Sequence, residues 1–209
     1  MKNLLIYAVQ ILFHPLDCFY FIKRDQKNIP TWYGFIILAL AGLCRIVSVY
    51  ATHYPLNNSL PEQSNVFVLL GILLIPGITW IVASYSTTTL MNGEAKFKEY
   101  FVLGCLCYVP YILVTPIRII FSHVLSGESA GFYNAIGIIV VIWIVILEFV
   151  CFMTANDYGF FKSILVGFIS LIVALLIWAF IILIFVFVAQ FVIFIQEIIL
   201  EVRSQMIAL

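Results

Sequence analysis

The six residues Glu94-Ala95-Lys96-Phe97-Lys98-Glu99 hold two acids and two bases in a chain that is 10% charged. Such a knot suits ion pairing or recognition of a charged partner. Arg45, Arg118 and Glu148 are a second kind of candidate, each isolated in a long apolar run. An ionisable group in hydrocarbon is expensive and marks a functional site by default. Cys105-Leu106-Cys107 resembles a metal or redox pair, but residues two apart on a helix point about 200° from each other. These thiols, with Cys44 and Cys151, read as small buried hydrophobes. A zinc site would need His53, His123 and a loop glutamate together. No HExxH, nucleophile elbow or paired carboxylate is visible, so no catalytic residue, cofactor or metal is expected and the chain reads as a non-enzyme.

The elements that position these residues follow from hydropathy. The chain has 209 residues, 65% of them hydrophobic, with a mean hydropathy of +1.17. Soluble domains are about 45–50% apolar and about 25% charged. Ten basic and ten acidic residues leave no net field to attract nucleic acid. In lipid the backbone must satisfy itself, as helices or as a closed barrel. Barrel strands alternate apolar and polar residues, whereas these runs are apolar on both parities. The expected class is all-α: a polytopic membrane protein with five transmembrane helices.

The spans predicted are 32–52, 66–91, 100–123, 132–153 and 163–195, following a cytoplasmic or interfacial arm at 1–31. A run of about 20 apolar residues crosses a core of about 30 Å. Pro30 and Trp32 open the first span, and Asn92-Gly93 stops the second. Pro76-Gly77 interrupts the second span and Pro110 and Pro116 the third; these read chiefly as kinks that shape packing. The charge-free run from Lys162 to Glu197 would be about 50 Å long as a helix, so it must tilt, break or project. Residues 2–13 are too short to span. Asn3, Tyr7, Gln10 and His14 draw one polar stripe, predicting an amphipathic helix in the headgroup plane, stopped by Pro15. Lys2 and the LLIYAVQILF that follows have the outline of a signal peptide but no small-residue cleavage site, so retention is expected. A second short helix starting near Asp17 would carry Lys23 and Arg24.

Orientation follows from basic residues. With the N-terminus inside, Lys2, Lys23, Arg24, Lys27, Lys96, Lys98 and Lys162 are cytoplasmic and only Arg203 is opposite. That places the knot at 94–99 beside the basic arm. His14, Asp17, Lys23, Asn92, Gly93, Glu94, Lys96 and Lys98 then form a candidate cytoplasmic patch for a protein partner. Arg45 and Arg118 are expected toward the outer end, near Glu128, His53 and His123. Glu148 is expected near the inner end, facing Lys96 or Lys98. Ser163, Gly167, Ser170 and Ala174 recur at helical spacing and would let a neighbouring helix approach closely. Phe180, Phe185, Phe187, Phe191 and Phe194 ring the far half of the last span, a surface for lipid or for another subunit. The run Ser84, Ser86, Thr87, Thr88, Thr89 can bond back to helix carbonyls and finish the second span.

HPLDCFYFIK (14–23), TTLMNGEAKFKE (88–99), YVPY (108–111) and GESAGFY (127–133) resemble the bacterial branch of the Yip-domain family, the Ypt-interacting proteins. The resemblance runs from about residue 14 into the last span. Relatives usually carry an acid before the glycine of the second segment, where this chain has Asn92, and another acid after the aromatic pair of the first, where it has Phe21. The resemblance implies a cytoplasmic N-terminus, five helices and no catalytic activity. It also implies action through protein partners, which for bacterial relatives means accessory subunits of plasma-membrane assemblies such as ABC-type transport systems. Two other functions stay open: a small transporter or channel using the kinked second and third spans, and a membrane-shaping protein driven by residues 2–13.

Overall fold

The computed structural model describes residues 10–12, 14–24, 30–53, 56 and 65–207, with side chains to residue 200. All of the regular structure among them is helical. After a short arm helix, α1 (Pro15–Arg24), come α2 (Trp32–Ala51), α3 (Val66–Leu90), α4 (Phe97–Leu106), α5 (Val109–Val124), α6 (Ala130–Ala155) and α7 (Phe160–Ile207). Among the described residues, five stretches are long and apolar enough to cross a membrane: Trp32–Ala51, Val66–Leu90, Phe97–Val124, Gly127–Ala155 and Phe160–Leu200. The chain is an all-α polytopic membrane protein. Of the amphipathic stripe, Asn3 and Tyr7 lie outside the described residues; Gln10 and His14 are exposed, while Ile11 is fully buried.

Local chemistry sets the helix ends. The Asn65 carboxamide accepts the Phe67 amide at 2.9 Å and caps α3. The Glu99 carboxylate reaches back to the Lys96 amide at 3.0 Å and starts α4. The third span is two helices, because Pro110 has no N–H for the carbonyl four residues back and its ring crowds that carbonyl. The chain turns at Cys107-Tyr108 and resumes with Pro110 in the first turn of α5. Pro76 and Pro116, by contrast, lie inside continuous helices.

α4 is the hub. Every residue from Tyr100 to Leu106 is buried, whereas almost all of Phe160–Leu200 is exposed or only partly buried. Around α4 a core gathers Phe19 and Ile22 of α1, Ile37 of α2, Ile81 of α3, Leu147, Cys151 and Phe152 of α6, and Val166 of α7. α1 therefore packs into the bundle end. α7 lies mainly on α3, with α6 beside it, and Ser163, Val166 and Ser170 are fully buried on the face it turns inward. α7 is unbroken over 48 residues, about 70 Å at 1.5 Å per residue. A run of that length exceeds a hydrocarbon core of about 30 Å, so it tilts or projects. Its five far phenylalanines are all exposed.

Candidate functional site

The second and fourth spans finish side by side with the same backbone device. At the end of α3, Asn92 takes φ 57°, in the left-handed region, and the Gly93 amide donates to the Thr88 carbonyl at 2.7 Å. At the end of α6, Asp157 takes φ 52°, and the Tyr158 amide donates to the Met153 carbonyl at 3.1 Å. Both are six-to-one caps on a left-handed residue, and Asn and Asp are the non-glycine residues that tolerate that conformation best. The glycine of Asn92-Gly93 thus serves close approach rather than backbone freedom. A Cβ on Gly93 would lie 2.5 Å from the Asn156 carboxamide oxygen and 2.9 Å from the Thr88 carbonyl.

The two caps interlock. The Tyr158 hydroxyl donates toward the Thr88 and Met91 carbonyls at 3.2 and 3.1 Å, adding a donor at the end of α3, where the Thr88 carbonyl already accepts the Gly93 amide. Burial pushes the Tyr158 phenol above its ordinary pKa, which keeps the hydroxyl a donor. Its ring stacks edge-on to Phe152 and carries the Lys162 ammonium 3.9 Å above it. Asn156 is buried and donates to the Phe152 carbonyl at 3.1 Å.

The arm closes this junction. Lys23 of α1 pairs with Asp157 at 2.5 Å and with Glu94 at 3.6 Å. Both carboxylates sit just past helix C-termini, where the helix dipole disfavours negative charge. Lys23, only 18% exposed, supplies the compensating charge, while Glu94 and Asp157 stay 68% and 45% exposed. Three segments far apart in sequence thus converge on one ammonium. Beside it a cleft of about 170 Å³ is lined by Ile22, Thr31, Lys96, Lys98 and Glu99.

Of the eight patch residues expected from sequence, Lys23 and Glu94 are in direct contact, and Asn92 and Gly93 form the cap beneath them. Lys96 and Lys98 flank the cleft. His14, just before α1, and Asp17, on it, are exposed; Asp17 lies six residues from Lys23, hence on a different face of that helix. The sequence marks Lys162 only as a cytoplasmic charge, and Asn156, Asp157 and Tyr158 only as the residues that follow the fourth span. Their signal was an Asx residue directly after a long apolar run, repeating the pattern at Asn92.

The intramembrane charges are placed as follows. Glu148 is 9% exposed and faces a cavity of about 780 Å³ shared with Pro76, Gly77, Trp80, Tyr108 and Ser163. It thus turns toward the second and last spans, not toward Lys96 or Lys98, which point into the cleft beside α1. One Glu148 carboxyl oxygen and the Trp80 indole N–H are both buried at this cavity and approach each other without a well-formed hydrogen bond. Arg45 and Arg118 line a separate cavity with Tyr111, Thr115 and Asn134, with Val141 between the two cavities. His53 and His123 stack at 5.4 Å at that end of the bundle, while Glu128 is exposed and lines neither cavity. Cys105 and Cys107 are both buried in the core. No group of three metal-ligating side chains occurs among the described residues.

Comparison with curated proteins and with solved structures gave no match. The Yip1 domain family matches residues 9–195, from the arm through most of the last span. The interlocked caps, α1, the first four spans and most of the last fall within that match, and this chain belongs to the Yip1 domain family.

Proposed function

We propose that this chain is a non-catalytic accessory protein of the bacterial plasma membrane, which binds protein partners in a membrane assembly such as an ABC-type transport system. The N-terminus and the Lys23 junction face the cytoplasm, and the C-terminus lies opposite. The observation that carries this reading is the junction itself. A single half-buried ammonium fixes the arm and two inter-span turns, leaving Glu94 and Asp157 exposed in set positions beside Lys96 and Lys98. A preorganised charged surface of this kind favours orientation and choice of partner. The basic residues concentrated at this end support the orientation.

The test is a mild-detergent purification of the native protein beside a Lys96→Glu, Lys98→Glu variant. Both lysines are exposed and lie outside the Lys23 contacts, so the fold is expected to persist. The same partner should co-purify with the native protein and be lost from the variant. Equal recovery would remove the patch from the reading, and absence of any partner together with solute flux in liposomes would overturn it.

The second reading is transport, and the Glu148 cavity between the second, fourth and last spans favours it. Transporters place binding groups near the midplane beside interrupted helices. Against it, Arg45 and Pro76 line different cavities. Flux that is lost on Glu148→Gln would establish transport in place of the accessory role.

A further inference from the structure

We propose that Arg45 and Arg118 form a binding site for the phosphate of a membrane phospholipid, at the end of the bundle opposite Lys23. The cavity they line is about 560 Å³ and lies between α2, α5 and α6. Neither guanidinium is within ion-pairing distance of a carboxylate among the described residues, and Glu128, at the same end, does not line the cavity. Two uncompensated cations at membrane depth require an anion or a path to water.

The geometry favours an anion held in place. The Arg118 guanidinium lies 4.4 Å from the centre of the Tyr133 ring and donates to the Tyr133 carbonyl at 3.5 Å. It fits over Gly137, where a Cβ would stand 3.1 Å from three of its atoms. Stacking of this kind fixes the plane of the fork, and the Arg118 Nε–H is buried with no acceptor among the described residues. Tyr111, Thr115 and Asn134 add polar atoms to the wall, and Arg45 completes it from the facing helix. Guanidinium forks match phosphate oxygens in spacing and charge.

Depth selects a lipid as the source. Arg45 is six residues before the end of α2 and Arg118 six before the end of α5, so each Cα is about 9 Å inside its helix end. Long side chains rising from that depth reach the headgroup boundary. The remaining wall is aliphatic, with Val114, Ile138 and Ile142 continuing below the arginines. That is the profile of one phosphate above one acyl chain.

The test uses delipidated protein in detergent, with thermal unfolding as the readout. Phosphatidylglycerol and phosphatidylcholine should each raise the midpoint by about 5–10 °C near saturation, and diacylglycerol of the same chains should not. In Arg45→Gln the rise should fall by at least half. The Arg45 side chain makes no hydrogen bond or ion pair among the described residues, so this variant tests the site without dismantling the Tyr133 contact. Equal shifts with diacylglycerol, or a full shift in Arg45→Gln, would overturn the site. An equal shift with inorganic phosphate alone would overturn the lipid as its occupant. The lipid comparison on the unmodified protein decides the matter even where the variant fails to fold. None of these outcomes depends on the protein-partner reading.

Discussion

Gly93→Ala tests the interlocked caps most directly, because the consequence of one methyl group can be worked from the surrounding atoms. The new Cβ would lie 2.5 Å from Asn156 Oδ1, 2.9 Å from the Thr88 carbonyl oxygen and 3.0 Å from Thr88 Cβ. Two of the three belong to Thr88, 2% or less exposed in the bundle and unable to swing away. Overpacking of this kind costs about 1–3 kcal/mol. Relief requires the turn to lift from α3, which stretches the Gly93 amide bond to the Thr88 carbonyl and the Tyr158 hydroxyl contact. Each is worth about 0.5–1.5 kcal/mol. A total of about 2–6 kcal/mol, at about 2–4 °C per kcal/mol for a chain of this size, lowers the unfolding midpoint by about 4–24 °C. The assay is heating in detergent with a thiol-reactive fluorophore, since Cys18, Cys105, Cys107 and Cys151 are buried until the bundle opens. Burial pushes the Cys18 thiol up to about 11, so it stays unreactive in the folded arm. Asn156→Ala in the Gly93→Ala background should recover part of the loss, because it removes the nearest of the three contacts. A Gly93→Ala protein that melts within about 1 °C of the parent would refute the interlock, since no packed contact of this size is that cheap.

Two other substitutions probe the caps and the cavity. Tyr158→Phe keeps the Phe152 contact but removes the hydroxyl from the end of α3, and should destabilise by about 1 kcal/mol; the same thiol assay would show it as a shift of a few degrees, and Gly93→Ala, Tyr158→Phe together should lose less than the sum. Glu148→Met replaces an acid buried at a largely apolar cavity with an apolar chain of similar length, and should raise stability by about 1–3 kcal/mol. A drop in the midpoint would mean that Glu148 holds an essential partner.

The class of protein, the order of its spans and the approximate helix ends were legible in the sequence, because lipid allows few backbone solutions and long apolar runs state them directly. The charged knot at 94–99 was legible too, as an anomaly of composition. What only the tertiary structure decided is which distant residue completes it. Asp157 lies 134 positions from Lys23, and no local rule pairs them. Their meeting depends on α1 packing against α6 and α4, which is a matter of which apolar faces fit. Helical periodicity could place Glu148 near the lysine-bearing end but not choose its face, since a span that is apolar all round has no preferred direction. Its neighbours, the second and last spans, made that choice. Hydropathy governs how the chain enters the membrane; side-chain shape governs which helix ends meet there, and the candidate sites belong to the second.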